Sequence, residues 1–303
     1  MEDKDKYEST LKSGDTEEYM DLIFYRKLGY WWALFFQKIG VSPNQISIAS
    51  IFIGVAAGVC FYFTSFLINL IGVLLLIWAN TYDSADGQLA RMTNQQSEWG
   101  RILDGICSYF WFVAIYIAII CRLWPQWDYW ILILAIVAGY SHSKQVALAD
   151  YYRNVHLLFL KGKDDSELDN SDSLKEKLKE KKGKGKGILY WFESLYIIYT
   201  KGQERWTPQT QKLFNLINRK YKGKPPRWFR KDYCRKSLKY IKYTNYLSFN
   251  LRSIALFISV LINLPWLYFV FEATVMNGLL FYMVNRYERL GRKFRGGLEL
   301  EED

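Results

Sequence analysis

The feature that most constrains the fold of this 303-residue chain is a series of long apolar runs without charged residues. The first two runs, 46–63 and 66–82, contain no Asp, Glu, Lys or Arg. A helix of about 18 residues is about 27 Å long, close to the roughly 30 Å of hydrocarbon in a bilayer. The sequence therefore predicts an all-α integral membrane protein with six transmembrane helices. The other four runs lie at 105–121, 129–149, 246–262 and 266–284.

Three charged residues interrupt the later runs. Lys144 lies near the end of the fourth run, Arg252 near the start of the fifth, and Glu272 well inside the sixth. Because a carboxylate is costly in lipid, we expect Glu272 to face protein or water and to pair with a basic residue across the bundle.

The segment 20–40 precedes the first run and is rich in aromatic residues. It also carries Arg26, Lys27 and Lys38, which argue against a seventh span. We interpret it as an amphipathic helix that lies in the membrane interface. Pro43 then breaks this helix, and the first span begins.

Basic residues predict the orientation. Three connections lie on one side of the membrane and contain a single basic residue, Arg122; they are 64–65, 122–128 and 263–265. Nearly all the other Lys and Arg residues lie on the opposite side. The positive-inside rule therefore places both termini and the motif described below in the cytoplasm. The polar N-terminal tail, 1–19, lacks the apolar core of a cleavable signal.

The polar block between the fourth and fifth runs is strongly basic. Residues 151–250 contain 24 Lys and Arg against 10 Asp and Glu. We expect a solvated, partly disordered linker at 161–187 and a helical subdomain on the membrane surface at 188–246. Nucleic-acid binding is the rival interpretation of a basic, aromatic block, but anionic headgroups lie closer, so we predict no nucleic acid partner. The predicted division of the chain is 1–19, 20–150, 151–245 and 246–303.

Two other classes of protein fit poorly. The four cysteines show no metal or redox spacing, which excludes a disulfide scaffold. A channel or transporter would need polar residues along the bilayer, and the apolar runs contain no such line.

The residues that carry chemistry lie at 83–108. Asp83 and Asp86 are three apart, and Gly100, Asp104 and Ser108 follow at intervals of four, so each set shares one helix face. Both faces lie at the inner ends of consecutive spans. The three carboxylates can therefore converge, and a hard divalent cation is their natural partner.

Small residues and one guanidinium accompany these acids. Gly87, Ala90 and Gly100 allow a ligand or a second backbone to approach closely. Arg91 supplies a fork of donors for a phosphate. The alternative interpretation is a set of helix-end charges with packing glycines.

This pattern resembles the signature of the CDP-alcohol phosphotransferase (CDP-alcohol phosphatidyltransferase) family. The signature is Asp, two residues, Asp-Gly, two residues, Ala-Arg, eight residues, Gly, three residues, Asp, three residues, Asp. Seven of the eight positions match at the right spacing, namely Asp83, Asp86, Gly87, Ala90, Arg91, Gly100 and Asp104. The segment Ser42-Pro43-Asn44-Gln45-Ile46 is similar as well. The resemblance covers roughly 20–150 and 246–290.

The resemblance implies transfer of a substituted phosphate from a CDP-linked donor to an alcohol acceptor, with release of CMP. It implies Mg²⁺ or Mn²⁺ held by the motif aspartates, here Asp83, Asp86 and Asp104. It also implies that Gly87, Arg91 and Gly100, with Ala90 between them, contact the donor's CDP moiety. Family members are typically homodimers among membrane lipids.

The departure from the signature is Ser108, where the family has the aspartate usually assigned as the base. A serine hydroxyl is not a general base without activation, and its presence removes one negative charge from the metal cluster. Three hypotheses stay open: an enzyme with a modified site, a catalytically impaired relative acting as a binding or scaffold protein, and an enzyme for an unusual acceptor.

Three residues outside the signature are further candidates. His142 could serve as the base, although a lone histidine is more often a packing residue. Lys144 could contact an acceptor's phosphate or simply extend to the headgroups, and Arg101 could face the same cavity or contact headgroups. CDP-diacylglycerol with a polyol acceptor is the first choice of substrates in phospholipid biosynthesis. A diacylglycerol- or ceramide-type acceptor is the enzymatic alternative.

Overall fold

The computed structural model describes residues 7, 10, 16–162, 168–180 and 188–300, and every regular element within these ranges is helical. The expected all-α fold is therefore confirmed for this part of the chain. A π-helical turn, Asp21–Tyr25, leads into the first α-helix. The helices are α1 (Arg26–Lys38), α2 (Pro43–Cys60), α3 (Phe66–Met92), α4 (Glu98–Trp127), α5 (Tyr129–Lys161), α6 (Ser171–Glu180), α7 (Ile188–Trp206), α8 (Pro208–Tyr221), α9 (Arg227–Tyr246), α10 (Phe249–Leu261) and α11 (Trp266–Glu299).

Five helices in the described ranges are long and apolar enough to cross a bilayer, and they indicate a membrane protein. They are α2, α3, α4 from Leu103, α5 and α11. The run expected as the fifth of six spans forms α10, which has 13 residues. At 1.5 Å per residue α10 is about 20 Å long, short of the hydrocarbon thickness. The fifth of the six expected spans therefore stays a prediction, whereas the sixth run lies within α11.

The chain forms two compact units, and the division falls inside α5 and inside α11. The first unit contains Met1–Ser141 and Asn250–Thr274, and the second contains His142–Phe249 and Val275–Asp303. The first boundary thus lies before Ala149, where the sequence predicts the end of the fourth span.

Small residues let α2 and α4 pack closely in the first unit. A Cβ atom at Gly54 would lie 2.1 Å from Cδ1 of Trp111, and one at Gly58 would lie 2.9 Å from the backbone nitrogen of Ile115. Trp111 is fully buried. The glycine face of α2 is therefore filled by an indole ring and by backbone, as in close helix pairs of membrane proteins.

Two buried basic side chains hold the first unit together. Arg122 donates from Nη1 to the carbonyl of Phe61 (2.9 Å) and from Nη2 to Oδ1 of Asn263 (2.6 Å), so it links the ends of α2 and α10. Arg252 on α10 donates to Oε1 of Glu272 on α11 at 3.1 Å. The expected pairing of Glu272 with a basic residue is confirmed.

The basic block forms an ordered bundle in the second unit. Glu288 on α11 accepts from the backbone of Gln209 (2.6 Å) and from Oγ1 of Thr210 (2.7 Å), and so caps the N-terminus of α8. Arg230 on α9 donates to the carbonyl of Phe159 at the end of α5 (2.9 Å). The helical structure expected for 188–246 is confirmed, and its place on a membrane surface stays a prediction.

The centre of the partly disordered linker expected at 161–187 is helical. Residues 171–180 form α6, and the carboxylate of Glu204 accepts from the backbone and hydroxyl of Ser171 (2.9 and 2.5 Å) at its N-terminus. A partner 33 residues away therefore caps the start of this helix. The remainder of the predicted linker, 163–167 and 181–187, lies outside the described residues.

Candidate active site

The three motif aspartates come together in the first unit. Asp83 and Asp86 lie near the end of α3, and Asp104 lies in the second turn of α4. Each offers a carboxylate oxygen, and these oxygens all lie within 4.8 Å of one another. The loop between the helices is short, and Ser97 caps the start of α4 by accepting from the backbone nitrogen of Gly100 at 2.9 Å. The convergence predicted from the spacing is therefore present.

Asp86 is the buried member of this cluster, at 3% exposure, whereas Asp104 is more exposed. The hydroxyl of Ser47 on α2 donates to Oδ2 of Asp86. The thiol of Cys107 on α4 donates to the carbonyl of Ser47 at 3.5 Å. Ser47 thus fixes the orientation of one carboxylate oxygen of Asp86.

Arg91 lies against Gly87, one turn earlier on α3. A Cβ atom at Gly87 would be 3.5 Å from Nη2 of Arg91, so the guanidinium covers the bare backbone at that position. Its Nε donates to the carbonyl of Thr10. Within the described part of the chain, Nη2 is buried without a hydrogen-bond partner. An unsatisfied buried guanidinium nitrogen is costly, and a phosphate oxygen would satisfy it.

A second guanidinium, that of Arg26, also borders the cluster. Its Nε is 3.0 Å from the carboxylate of Glu17, which is 4% exposed, and its Nη1 is 3.4 Å from the hydroxyl of Ser84, next to Asp83. Burial lowers the pKa of Arg26, but Glu17, Asp21 and Asp104 raise it, so its pKa lies above the ordinary value for arginine. Arg26 therefore stays charged beside the site.

The small residues of the motif have different surroundings. A Cβ atom at Gly100 would lie 3.3 Å from Oδ1 of Asn44, so the start of α2 meets the start of α4 there. Ala90 is half-buried one residue before Arg91. Ser108 is half-buried on α4, one turn beyond Asp104, where the spacing places it. Their roles toward a substrate stay predictions.

Three predicted residues are not part of this cluster as described. The side chain of Arg101 lies outside the described residues. His142, which is 7% exposed, and Lys144 belong to the second unit. Their assignments as base and as acceptor contact stay predictions.

The donor set fits a hard divalent cation. It consists of carboxylate oxygens, which Mg²⁺ and Mn²⁺ prefer, and one of them is buried and oriented by a hydroxyl. Two guanidinium groups beside it suit phosphate oxygens rather than a second cation. The arrangement can hold a metal–diphosphate complex.

Two comparisons with known proteins found sequences similar to this chain. Residues 40–155 match the family model of CDP-alcohol phosphatidyltransferases, a family of phosphotransferases that generally depend on divalent metals. The expected resemblance is therefore confirmed over the part of the chain that contains the aspartates. A stretch of 76 residues, 25% of the chain, is 40% identical to an uncharacterized protein of Aquifex aeolicus (strain VF5). This stretch spans 37% of that protein.

Sequence reasoning missed four residues that border the cluster: Ser47, Arg26, Glu17 and Cys107. Ser47 follows directly on the segment 42–46, which is part of the resemblance to the family. Its position next to that segment could have marked it as a residue near the site. The others carry no spacing signal, since they reach the site only through helix packing.

Proposed function

We propose that this chain transfers a substituted phosphate from a CDP-linked donor to an alcohol acceptor and releases CMP. The observation that carries the proposal is the convergence of three carboxylates within 4.8 Å beside a buried, partly unsatisfied arginine. CDP-diacylglycerol is the proposed donor and a polyol the proposed acceptor, in phospholipid biosynthesis. The proposed topology has six spans, with both termini and the site in the cytoplasm, and the proposed assembly is a homodimer.

Asp83, Asp86 and Asp104 would hold Mg²⁺ or Mn²⁺. When bound, the metal neutralises the diphosphate and stabilises the charge that develops on the leaving CMP. Arg91 binds a phosphate oxygen of the donor through its free buried nitrogen, and Gly87 leaves room for that contact. Ser47 keeps Asp86 oriented while the donor binds.

The acceptor hydroxyl must lose a proton as it attacks phosphorus. Ser108 cannot accept this proton at neutral pH without activation. His142 is the proposed base, and Lys144 and Arg101 are the proposed contacts of the acceptor. A phosphate of the substrate is the other candidate for this proton.

The activity can be tested with the purified full chain in detergent. CMP release would be measured with CDP-diacylglycerol and a panel of polyols, with Mg²⁺, with Mn²⁺ and with a chelator. We expect turnover only with metal, and a loss of at least about 100-fold in Asp86→Asn and Asp104→Asn, because a catalytic metal supplies several kcal/mol.

The matched control is Asp128→Asn. Asp128 follows the last residue of α4, 24 residues from Asp104 and therefore about 36 Å away along the helix. It should keep wild-type activity. Turnover that persists in the chelator, or that survives both aspartate substitutions, would contradict the proposal.

An impaired relative with a binding or scaffold role is the second candidate, and Ser108 is the observation that favours it. A lipid acceptor of the diacylglycerol or ceramide type is the enzymatic alternative. Binding of CMP with Mg²⁺ but no turnover across donors and acceptors would support the scaffold. Ser108→Asp then separates the hypotheses: a gain of turnover indicates an impaired native site, and a loss indicates a specialised one.

A further inference from the structure

The second unit contains a cluster of two cations and three tyrosines where α9 ends beside α11. The cations are Lys242 and Arg286, and the tyrosines are Tyr243, Tyr246 and Tyr282. The rings of Tyr243 and Tyr282 join the two helices, with their centres 4.9 Å apart. Tyr246 packs edge-on against Tyr243, at a distance of 6.2 Å between ring centres. The proposed reaction uses none of these five residues.

Each cation of this cluster lies over the ring of a tyrosine. The guanidinium carbon of Arg286 is 4.8 Å from the ring centre of Tyr282. The Nζ atom of Lys242 is 5.3 Å from the ring centre of Tyr243. The hydroxyl of Tyr282 also accepts hydrogen bonds from Tyr243 and Arg286. Because a cation within about 6 Å of an aromatic ring is attracted to its face, the tyrosines hold both cations on one surface.

Within the described part of the chain, no carboxylate neutralises these two cations. Lys242 and Arg286 interact there with tyrosines. The sequence of α9 after Asp232 contains no Asp or Glu, nor does that of α11 between Glu272 and Glu288. Glu288 is engaged at the start of α8. Since Lys242 is exposed and Arg286 is only half-buried, an anion from outside the chain can reach both charges.

The sequence of α11 indicates the depth of this cluster in the bilayer. The part of this candidate span that belongs to the second unit is uncharged from 275 to 285. Arg286 follows, and the next nine residues contain four more basic residues. Phe281 and Tyr282, just before this change, are 54% and 40% exposed. Tyrosines collect at the membrane interface and basic residues follow just outside the hydrocarbon, so the cluster lies in the headgroup layer.

The helix α9 runs antiparallel to α11 and therefore leads away from this layer. Near the start of α9, Phe229 packs against Phe294, with ring centres 5.1 Å apart. Near its end, Tyr243 packs against Tyr282. The 14 residues from Phe229 to Tyr243 span about 21 Å of helix. Among the exposed basic residues of α9, Lys242 is therefore the one nearest the headgroups, and the end of the helix rather than its whole length meets the lipid.

We propose that this cluster binds the phosphate of an anionic phospholipid from the surrounding bilayer. Lys242 and Arg286 pair with the phosphate oxygens, and Tyr282 donates its hydroxyl proton to the same group. Two cations favour a phosphate monoester, which carries more than one negative charge at neutral pH. The ligand is a lipid rather than a soluble phosphate, since the cluster lies at headgroup depth and the exposed ring of Phe281 offers a contact to an acyl chain. The site needs neither the metal nor the CDP-linked donor.

The test uses the delipidated full chain in neutral detergent, without metal or nucleotide. Dioleoyl phosphatidic acid is titrated in, and native mass spectrometry measures the affinity for the first bound lipid. Lys242→Gln and Arg286→Gln should each weaken binding about tenfold, the typical effect of losing one charge-assisted bond, and the double variant should weaken it about 100-fold. Dioleoyl phosphatidylcholine, whose choline neutralises its own phosphate, should bind at least tenfold more weakly than phosphatidic acid.

Lys231→Gln is the matched control and should bind the lipid as the wild type does. Lys231 is exposed on the same helix, 11 residues and therefore about 16 Å before Lys242. Should Arg286→Gln fail to fold, Lys242→Gln decides the test, because Lys242 is an exposed residue.

Soluble phosphates separate the two sources of the ligand. Glycerol 3-phosphate and inorganic phosphate should bind at least tenfold more weakly than the lipid. Equal binding of either one, an equal loss in Lys231→Gln, or unchanged lipid binding in Lys242→Gln overturns the proposal. None of these outcomes bears on CMP release, so the enzymatic proposal is judged separately.

Discussion

Removal of one partner of the Arg252–Glu272 pair should destabilise the first unit strongly. The two side chains are 1% and 0% exposed, so water does not screen them. At a separation of 3.1 Å and an effective dielectric constant of about 20, the Coulomb attraction is about 5 kcal/mol. Loss of one partner leaves the other charge buried and costs about 3–5 kcal/mol.

The assay is thermal unfolding of the purified chain in detergent. Arg252→Met and Glu272→Leu should each lower Tm by on the order of 10 °C, at about 2–4 °C per kcal/mol. Glu272→Leu should cost more, because a guanidinium cannot lose its proton whereas a carboxylate can gain one. The double variant should recover most of the loss, since two apolar side chains replace a buried pair at little net cost.

Arg289→Met on the exposed face of α11 is the matched control and should shift Tm by no more than about 1–2 °C. Two outcomes would refute the reasoning: single variants as stable as this control, or a double variant whose loss equals the sum of the single losses. Either result would mean that the two charges are not desolvated together.

Two further changes test the packing of each unit. Gly54→Ala should lower the free energy of unfolding by about 1–3 kcal/mol, because the added Cβ atom would overlap the buried ring of Trp111. Gly278→Ala is the control and should have no such effect, because there is open space around Gly278. Equal Tm values for the two variants would contradict this prediction. Glu288→Gln should weaken the cap of α8 at Thr210 by about 1–2 kcal/mol. Limited proteolysis of the basic block, 151–245, should then be faster. An unchanged digestion rate would exclude a role for the charge of Glu288.

The sequence predicted those parts of the fold that depend on local patterns. Uncharged runs located the apolar helices because length and composition decide whether a helix can cross a bilayer. The intervals of three and four placed Asp83, Asp86 and Asp104 on facing helix surfaces because α-helical periodicity is fixed. The capping box of Ser42 and Gln45 at the start of α2 likewise follows from adjacent residues.

The contacts around the site could not be predicted, because they join residues far apart in the chain. Ser47 and Asp86 are 39 residues apart, and Thr10 and Arg91 are 81 apart. No periodicity specifies such pairs before the helices pack. The N-terminal tail was predicted only as polar, yet Thr10 contacts the arginine proposed for the donor.

The charge of the site makes a last prediction possible. Ser108 leaves three carboxylates where the family signature has four, and Arg26 and Arg91 lie close to them. We therefore expect a divalent cation alone to bind weakly, and we expect the diphosphate of the proposed donor to supply the missing negative charge. We expect Mg²⁺ to bind at least tenfold more tightly with CDP present, and CDP to bind more tightly with Mg²⁺ by the same factor, because such coupling is reciprocal.

Isothermal titration in both orders measures the two factors. Ser108→Asp should strengthen Mg²⁺ binding without nucleotide and reduce the coupling. Mg²⁺ binding that is tight without nucleotide, or unchanged in Ser108→Asp, would show that the serine does not limit the charge of the cluster.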